Sequence, residues 1–263
     1  MCDTCGCSQP SDAVTIRRPG HEGSHHHHHD HGHEHHHHHD HDHDHGPRTQ
    51  TVEQDVLAQN DLLAARNRGW FEAKRIVALN LVSSPGSGKT TLLEKTVTAL
   101  DGKPSVAVIE GDQQTTRDAD RIAATGADVV QVNTGNGCHL DAEMIRRACD
   151  ELDPPTRSLL MIENVGNLVC PASFKLGTHK SILVASVPEG DDKPYKYPGM
   201  YRGVDALVIN KIDLLPYINF RMDYFQRGVE VLNPGLTTFP ISCRTGEGLD
   251  SWVEWLVKNS RKE

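Results

Sequence analysis

Positive charge is what this 263-residue chain most lacks: 27 Lys and Arg stand against 36 Asp and Glu, a formal charge of −9. A nucleic-acid binder needs a basic face to neutralise phosphates, so that class is set aside. Long apolar runs are missing too. Every such run is short and interrupted, well under the roughly 20 residues a membrane-spanning helix needs, so no membrane insertion is expected. The opening Met1-Cys2-Asp3-Thr4-Cys5 has neither a basic region nor an apolar core, so it does not read as a secretory leader. No internal repeat is visible. Seven cysteines beside a nucleotide-binding pattern favour reduced thiols and metal ligation over disulfides, and a cytoplasmic location is expected.

Histidine is abundant in one place. Sixteen of the 18 histidines fall between His21 and His45, including the runs His25, His26, His27, His28, His29 and His35, His36, His37, His38, His39. Its interior position and irregular His-Glu and His-Asp continuation are unlike an engineered tag. Ahead of it stands Cys2-Asp3-Thr4-Cys5-Gly6-Cys7. Imidazole suits Zn, Cu and Ni, and thiolate adds soft-ligand affinity. Many near-equivalent donors imply capacity for several ions rather than one fixed geometry, which reads as a store. Three thiolates within six residues are too crowded for a zinc finger but can wrap a square-planar ion such as Ni²⁺. A redox Cys-x-x-Cys would want a thioredoxin-like context, which is absent. With nothing to bury, residues 1–46 are expected to be disordered when metal-free.

From residue 47 the pattern changes. Thr51 to Arg68 has helical spacing, with Gly69 near its end, giving an N-terminal helix and linker over 47–75. Residues 76–263 then alternate strand and helix. Apolar strands are expected at Ile76–Val82, Ser105–Ile109, Val129–Val132, Leu159–Ile162, Ile182–Ala185, Ala206–Ile209 and Thr238–Ser242. Helices are expected near Thr91–Leu100, Arg117–Ala124, His139–Glu151, Asp223–Leu232 and Leu249–Lys258. Strands this apolar are buried on both faces, so the fold expected is α/β, a P-loop NTPase whose mostly parallel sheet is flanked by helices.

The first chemical motif is Ser83-Ser84-Pro85-Gly86-Ser87-Gly88-Lys89-Thr90, between a strand and a helix. Its backbone amides, Ser87 included, would converge on a phosphate at a helix N-terminus. Lys89 would reach the β/γ oxygens, Thr90 would offer its hydroxyl to Mg²⁺, and Thr91 follows in the first turn. The strict pattern wants glycine where this chain has Ser83. The second is Asn210-Lys211-Ile212-Asp213 at the end of a buried strand. A carboxylate at Asp213 accepts from N1–H and the 2-amino group of guanine, donors that adenine lacks, while the stem of Lys211 covers the base. Ser242-Cys243-Arg244 stands where a backbone amide would meet guanine O6. GTP and GDP are therefore the expected nucleotides. Asp112, in Glu110-Gly111-Asp112, is the candidate for Mg²⁺ contact, direct or through water, or for orienting the attacking water. Glu163 is the second carboxylate, and the Gly166 amide would sense the γ-phosphate, though either carboxylate could instead cap a helix. No arginine finger is evidently fixed in the chain, Arg117 and Arg121 being the only nearby candidates, so slow hydrolysis is expected.

A second metal site is read in Cys138-His139 with Cys170, four residues past Gly166. Three donors leave a shell unfilled, which a twofold dimer sharing the ion would complete. Cys149 and the Cys243 thiol read as structural; His179 is unassigned.

These residues resemble a known family, the HypB hydrogenase nickel-incorporation GTPases. The resemblance runs from about Val52 to the C-terminus. It is carried by Ser83–Thr90, where Ser83 is usual for the family, and by residues 110–115, Asp118-Ala119, residues 163–170, residues 210–217 and residues 242–246. It implies a SIMIBI-class GTPase that delivers Ni²⁺ to the large subunit of [NiFe] hydrogenase with HypA as partner. It also implies nickel or zinc at Cys138, His139 and Cys170, a high-affinity nickel site at Cys2, Cys5 and Cys7, and a homodimer contact at Leu214 and Ile218. Two alternatives stay open. One is a urease-type nickel GTPase, whose relatives usually carry Cys-Pro-His and lack the Cys-x-x-Cys-Gly-Cys start. The other is a metal store whose nucleotide site only regulates oligomerisation.

Overall fold

The computed structural model describes residues 14–19, 47–102, 104–113, 115–167, 169, 171 and 174–260; of residues 47–53 only the backbone is described. The thiols Cys2, Cys5 and Cys7, the histidine tract and Cys170 lie outside the described residues.

The described residues build one eight-stranded sheet in the order β1-β4-β3-β5-β2-β6-β7-β8. Its strands are β1 (Thr15–Arg17), β2 (Val77–Ser83), β3 (Val106–Asp112), β4 (Asp128–Asn133), β5 (Leu159–Glu163), β6 (Lys180–Ser186), β7 (Ala206–Asn210) and β8 (Thr237–Pro240). Every pairing is parallel except β1 against β4. The helices are α1 (Pro47–Lys74), α2 (Lys89–Leu100), α3 (Arg117–Ala123), α4 (Ala142–Leu152), α5 (Lys193–Lys196), α6 (Pro198–Arg202), α7 (Met222–Leu232) and α8 (Leu249–Ser260).

Alternation along the strands sorts the core into two faces. Leu79, Leu81, Val108, Met161, Val184 and Val208 point to one side, under α2, α3 and α8, where Trp252 is fully buried and its Nε1 donates to Thr96 Oγ1 at 2.9 Å. Ala78, Ala107, Ile109, Leu160 and Ile162 point to the other, under Phe71 of α1 and Ile145 and Ala148 of α4. Farther along that face, Leu183, Leu207 and Ile209 pack beneath Met200 and Tyr201 of α6 and Phe225 of α7. Helices on both faces of a parallel sheet are the layering the apolar strands imply.

Several elements differ from the sequence expectation. Residues 14–19, counted within the 1–46 tail, are part of the folded domain. Val14 is buried, β1 pairs with β4, and Arg18 donates to the Glu151 and Leu152 carbonyls at the end of α4. Helix α1 runs straight through Gly69 to Lys74, because its buried stripe is Asn60, Ala64, Asn67 and Phe71 rather than an apolar series. Asn60 accepts from the Ala142 amide and donates to the Lys175 carbonyl; Asn67 donates to the carbonyls of Ala142 and Leu176. These bonds fasten α1 to the first residue of α4 and to the loop before β6 through backbone groups, which a hydrophobic pattern does not report. Helix α4 begins at Ala142, not at His139, since the Asp141 carboxylate caps it by accepting from the Met144 amide at 2.7 Å. His139 therefore lies in a loop. Glu110, Gly111 and Asp112 are the last residues of β3 rather than residues following it, and β8 ends at Pro240, two residues before Ser242.

No helix among the described residues is long and apolar enough to cross a membrane. Cys149 is buried in α4 and Cys243 beside Asn210, and burial pushes their thiols up to about 12 and about 11. Thiolate is the reactive form, so iodoacetamide at pH 8 is expected to spare both in the native protein and to alkylate both in denaturant. Rapid native labelling of Cys149, followed by peptide mass mapping, would contradict a purely structural role.

Candidate functional site

The parallel strands β2, β3, β5 and β7 deliver their C-terminal ends to one edge of the sheet, the edge at which ligands of open α/β sheets bind. There a cleft of about 520 Å³ is lined by residues 85–91, 110–113, Asp118, Arg121, residues 163–166 and Lys211. A slightly larger cavity, about 590 Å³, lies under α1 and α6, lined by Arg68, Asn80, Phe174 and Met200 among others. No phosphate-binding loop faces it, so the chemistry belongs to the first cleft.

The loop between β2 and α2 turns on two left-handed glycines, Gly86 at φ +75° and Gly88 at φ +95°. Both conformations favour a residue without Cβ. Gly88 caps α2, whose first amides thereby face the cleft. Lys89 is buried and its Nζ donates to Ser83 Oγ at 2.7 Å; that hydroxyl donates onward to the Ser84 carbonyl at 2.6 Å. Serine at position 83 thus supplies an acceptor for the lysine that glycine could not. Burial lowers the Lys89 pKa, while Glu163 and Glu110 oppose the shift.

Two acidic residues lie under the loop. Thr90 Oγ1 donates to Glu163 Oε1 at 2.8 Å, and Glu163 stands beside Glu110 in the β3–β5 register. Burial pushes Glu163 up to about 7 against the opposing pull of Lys89 and Thr90. Burial, then the neighbouring Glu163 and Asp112, pushes Glu110 up to about 9. Among the described residues, one oxygen of each carboxylate and the Ser87 hydroxyl are buried without a hydrogen-bond partner, orphaned groups that a ligand or cation would satisfy. Asp112 ends β3 in the lining of the cleft. Its two oxygens accept from the Gln113 amide, the Thr115 amide and the Thr115 hydroxyl, and so shape the loop before α3. Arg121 is held to Glu94 and Asp118 by ion pairs of 2.6 and 3.1 Å rather than extended into the cleft.

Gly166 lies against the phosphate loop: a Cβ there would sit 3.2 Å from Pro85 Cα, and Ser83 and Asn167 form a β-bridge beside it. Asn210 ties the two nucleotide motifs together. Its Nδ2 donates to the Ser87 carbonyl at 2.9 Å, and its Oδ1 accepts from the amides of Lys211 and Cys243. Lys211 Nζ reaches the Gly86 carbonyl at 2.5 Å, and Ser242 Oγ donates to Asp213 Oδ1 at 2.7 Å, fixing the carboxylate. Residues 83–90, 163–166, 210–213 and 242–243 are therefore one hydrogen-bonded assembly.

Cys138 and His139 occupy the loop after β4, at the same edge. Cys138 Sγ is 3.6 Å from His139 Nδ1. Two donors on one tetrahedral ion, at the usual Zn–S and Zn–N lengths, stand about 3.6 Å apart, so the pair has a chelating separation. His139 stacks on Phe174 with centroids 3.9 Å apart, and burial lowers its pKa, favouring the neutral imidazole that binds metal. No group of three or more metal-binding side chains occurs among the described residues; Cys170, the third donor of the expectation, is not among them. Leu214, in a 3-10 turn over Ile212–Tyr217, and Ile218, which follows it, are half-buried against the chain's own core beneath α7. Asn80 and Asn164 carry no mark in local sequence spacing; their roles come from contacts with residues 84 and 24 positions away.

A phosphate loop after the central strand, with a guanine-type motif two strands away, defines a P-loop GTPase domain. Residues 77–240 match the family described as CobW/HypB/UreG, nucleotide-binding domain. The hydrogenase maturation factor HypB of Rhizobium leguminosarum bv. viciae is 52% identical over 205 residues, covering 78% of this chain and 69% of that protein. The HypB of Escherichia coli (strain K12) is 53% identical over 209 residues, covering 80% and 72%. A crystal structure of HypB from Helicobacter pylori in complex with nickel is 40% identical, with a TM-score of 0.72 over 77% of this chain and 95% of that one. The chain belongs to the HypB family of hydrogenase maturation factors.

Proposed function

We propose that this chain hydrolyses GTP to drive delivery of Ni²⁺ to the large subunit of a [NiFe] hydrogenase in the cytoplasm, with a HypA-type nickel chaperone as partner. The observation that carries the reading is the sharing of one sheet edge by the phosphate loop, the guanine motif and the Cys138-His139 pair. Lys89 leaves Ser83 for the β/γ-phosphates, and the amides of Gly86, Ser87, Gly88, Lys89, Thr90 and Thr91 cradle them. Asp213, Lys211 and the backbone at Ser242-Cys243 hold the base.

Mg²⁺ fits the donor set. Thr90 Oγ1 and Glu163 would hold it, with Asp112 acting through water, and it would neutralise charge developing on the phosphates. Gly166, pressed on Pro85, senses whether the γ-phosphate is present. Its displacement moves the segment leading to Cys170 and so alters metal affinity at Cys138, His139 and Cys170. A homodimer, in contact around Leu214 and Ile218, completes that shell with nickel or zinc. Cys2, Cys5 and Cys7 hold nickel tightly, and the histidines at 25–29 and 35–39 store it.

The test is a strain carrying Lys89→Ala, assayed for hydrogenase and urease with and without added nickel. Hydrogenase activity is expected to fall by about 10²-fold or more while urease persists, since the lysine's charge on the phosphates is lost. Loss of urease alone would indicate the urease-type role. Both activities intact at scarce nickel would leave a metal store with a dispensable nucleotide site.

A further inference from the structure

The loop bearing Cys138 and His139 is fastened to the nucleotide-facing segments through its next residue, Leu140. The Leu140 amide donates to Asn164 Oδ1 at 3.1 Å, and that oxygen also accepts from the Val165 amide at 3.0 Å. Asn164 is 1% exposed; its Nδ2 donates to Asn80 Oδ1 at 3.2 Å in β2, and its backbone amide donates to the Leu81 carbonyl. One side chain thus joins Val165, the strand leading into the phosphate loop and the residue after His139. Leu140 also touches the other acidic segment: a Cβ on Gly111 would lie 2.8 Å from Leu140 Cδ1. Leu140 is wholly buried, so its backbone has no alternative water partner.

We infer that Asn164 is a positioning residue that couples the nucleotide state at Glu163–Gly166 to the metal-binding geometry of Cys138-His139, acting through the Leu140 amide. This rests on the proposed metal role of that pair and adds a route independent of Cys170. When the segment after Glu163 shifts, Asn164 Oδ1 moves with it. The Leu140 amide either follows or is left buried and unpaired, a penalty large enough to enforce following. His139, one peptide away and stacked on Phe174, then turns relative to Cys138. Coupling of this kind is a free energy shared between two sites, with effects commonly of 5- to 150-fold, about 1–3 kcal/mol.

The test uses the full chain carrying Cys2→Ala, Cys5→Ala and Cys7→Ala, titrated with Ni²⁺ and followed by thiolate-to-nickel charge-transfer absorption. Titrations are run with GDP and with a non-hydrolysable GTP analogue. In this parent the two affinities are expected to differ about tenfold or more. Asn164→Ala, titrated at saturating nucleotide, should bring the ratio below about threefold. Asn164→Asp, which keeps an oxygen facing Leu140, should restore most of the ratio. A ratio unchanged in Asn164→Ala overturns the inference. Should that variant not fold, Gly111→Ala, which presses on Leu140 from the other side, decides the matter: an altered ratio supports the coupling and an unchanged one overturns it. A parent whose nickel signal survives Cys138→Ala, or is the same with both nucleotides, instead overturns the metal reading beneath it.

Discussion

Asp213→Asn is expected to lower the affinity for GDP and GTP by about 10²- to 10³-fold and to raise that for xanthosine nucleotides by a comparable factor. Guanine presents two donors, N1–H and the 2-amino group, and a carboxylate accepts both. Asparagine accepts one and opposes its own NH₂ to the other, leaving two donors face to face in a desolvated contact. Xanthine carries a carbonyl at position 2, which the NH₂ of asparagine can donate to. The exchange should leave the fold intact, because Ser242 Oγ donates to Asp213 Oδ1 at 2.7 Å and an amide oxygen accepts that bond equally. The turn is set by backbone bonds in any case: Leu214 N to the Lys211 carbonyl and Ile212 N to the Ile241 carbonyl. Calorimetric titration with GDP and xanthosine diphosphate reads both changes. Unaltered guanine affinity would mean that Asp213 does not face the base.

Much of this architecture is legible in the sequence because its signals are local. Leu159–Ile162 and Ala206–Ile209 are apolar throughout, and such strands fit a sheet covered on both sides. The phosphate loop and Asn210-Lys211-Ile212-Asp213 are readable for a similar reason: a loop that wraps an anion, or a turn that presents a carboxylate to a base, needs its residues at fixed short spacing. Strand ends are harder. β3 continues through Glu110, Gly111 and Asp112, and β5 and β7 end on Glu163 and Asn210, so the polar residues that do chemistry extend each ladder beyond its apolar run. Hydrophobicity stops where the strand does not.

Contacts between distant residues leave no spacing to read. Asn210 meets the Ser87 carbonyl 123 positions away, and Asn164 meets the Leu140 amide 24 away. Asn60 and Asn67 show the same limit on α1: a buried helix face carries amides that bond the backbone at the start of α4, where periodicity alone would place leucines. β1 is short enough that Ile16, with Val14 just before the strand, is its entire apolar signal, beside a tract whose composition points elsewhere.

The same long-range contacts make Gly88→Ala the substitution with the broadest expected damage. Gly88 sits at φ +95°, where an L-residue is strained by about 1–2 kcal/mol. Its added Cβ would also lie 2.5 Å from Asn210 Nδ2. Asn210 is not free to retreat, since it bonds the Ser87 carbonyl and the amides of Lys211 and Cys243. Relieving the collision therefore breaks bonds on three segments, and the loss of stability should reach about 3–5 kcal/mol in urea denaturation, with GDP affinity falling by about 10²-fold or more. Gly86→Ala supplies the control. Gly86 is also left-handed, at φ +75°, but a Cβ there meets nothing within 4 Å, so only the backbone strain of about 1–2 kcal/mol is expected in the nucleotide-free protein. If the two variants lose equal stability, backbone strain alone governs the loop. If Gly88→Ala is the worse by several-fold in both stability and GDP binding, the Asn210 clasp is what holds the phosphate cradle and the guanine motif in register.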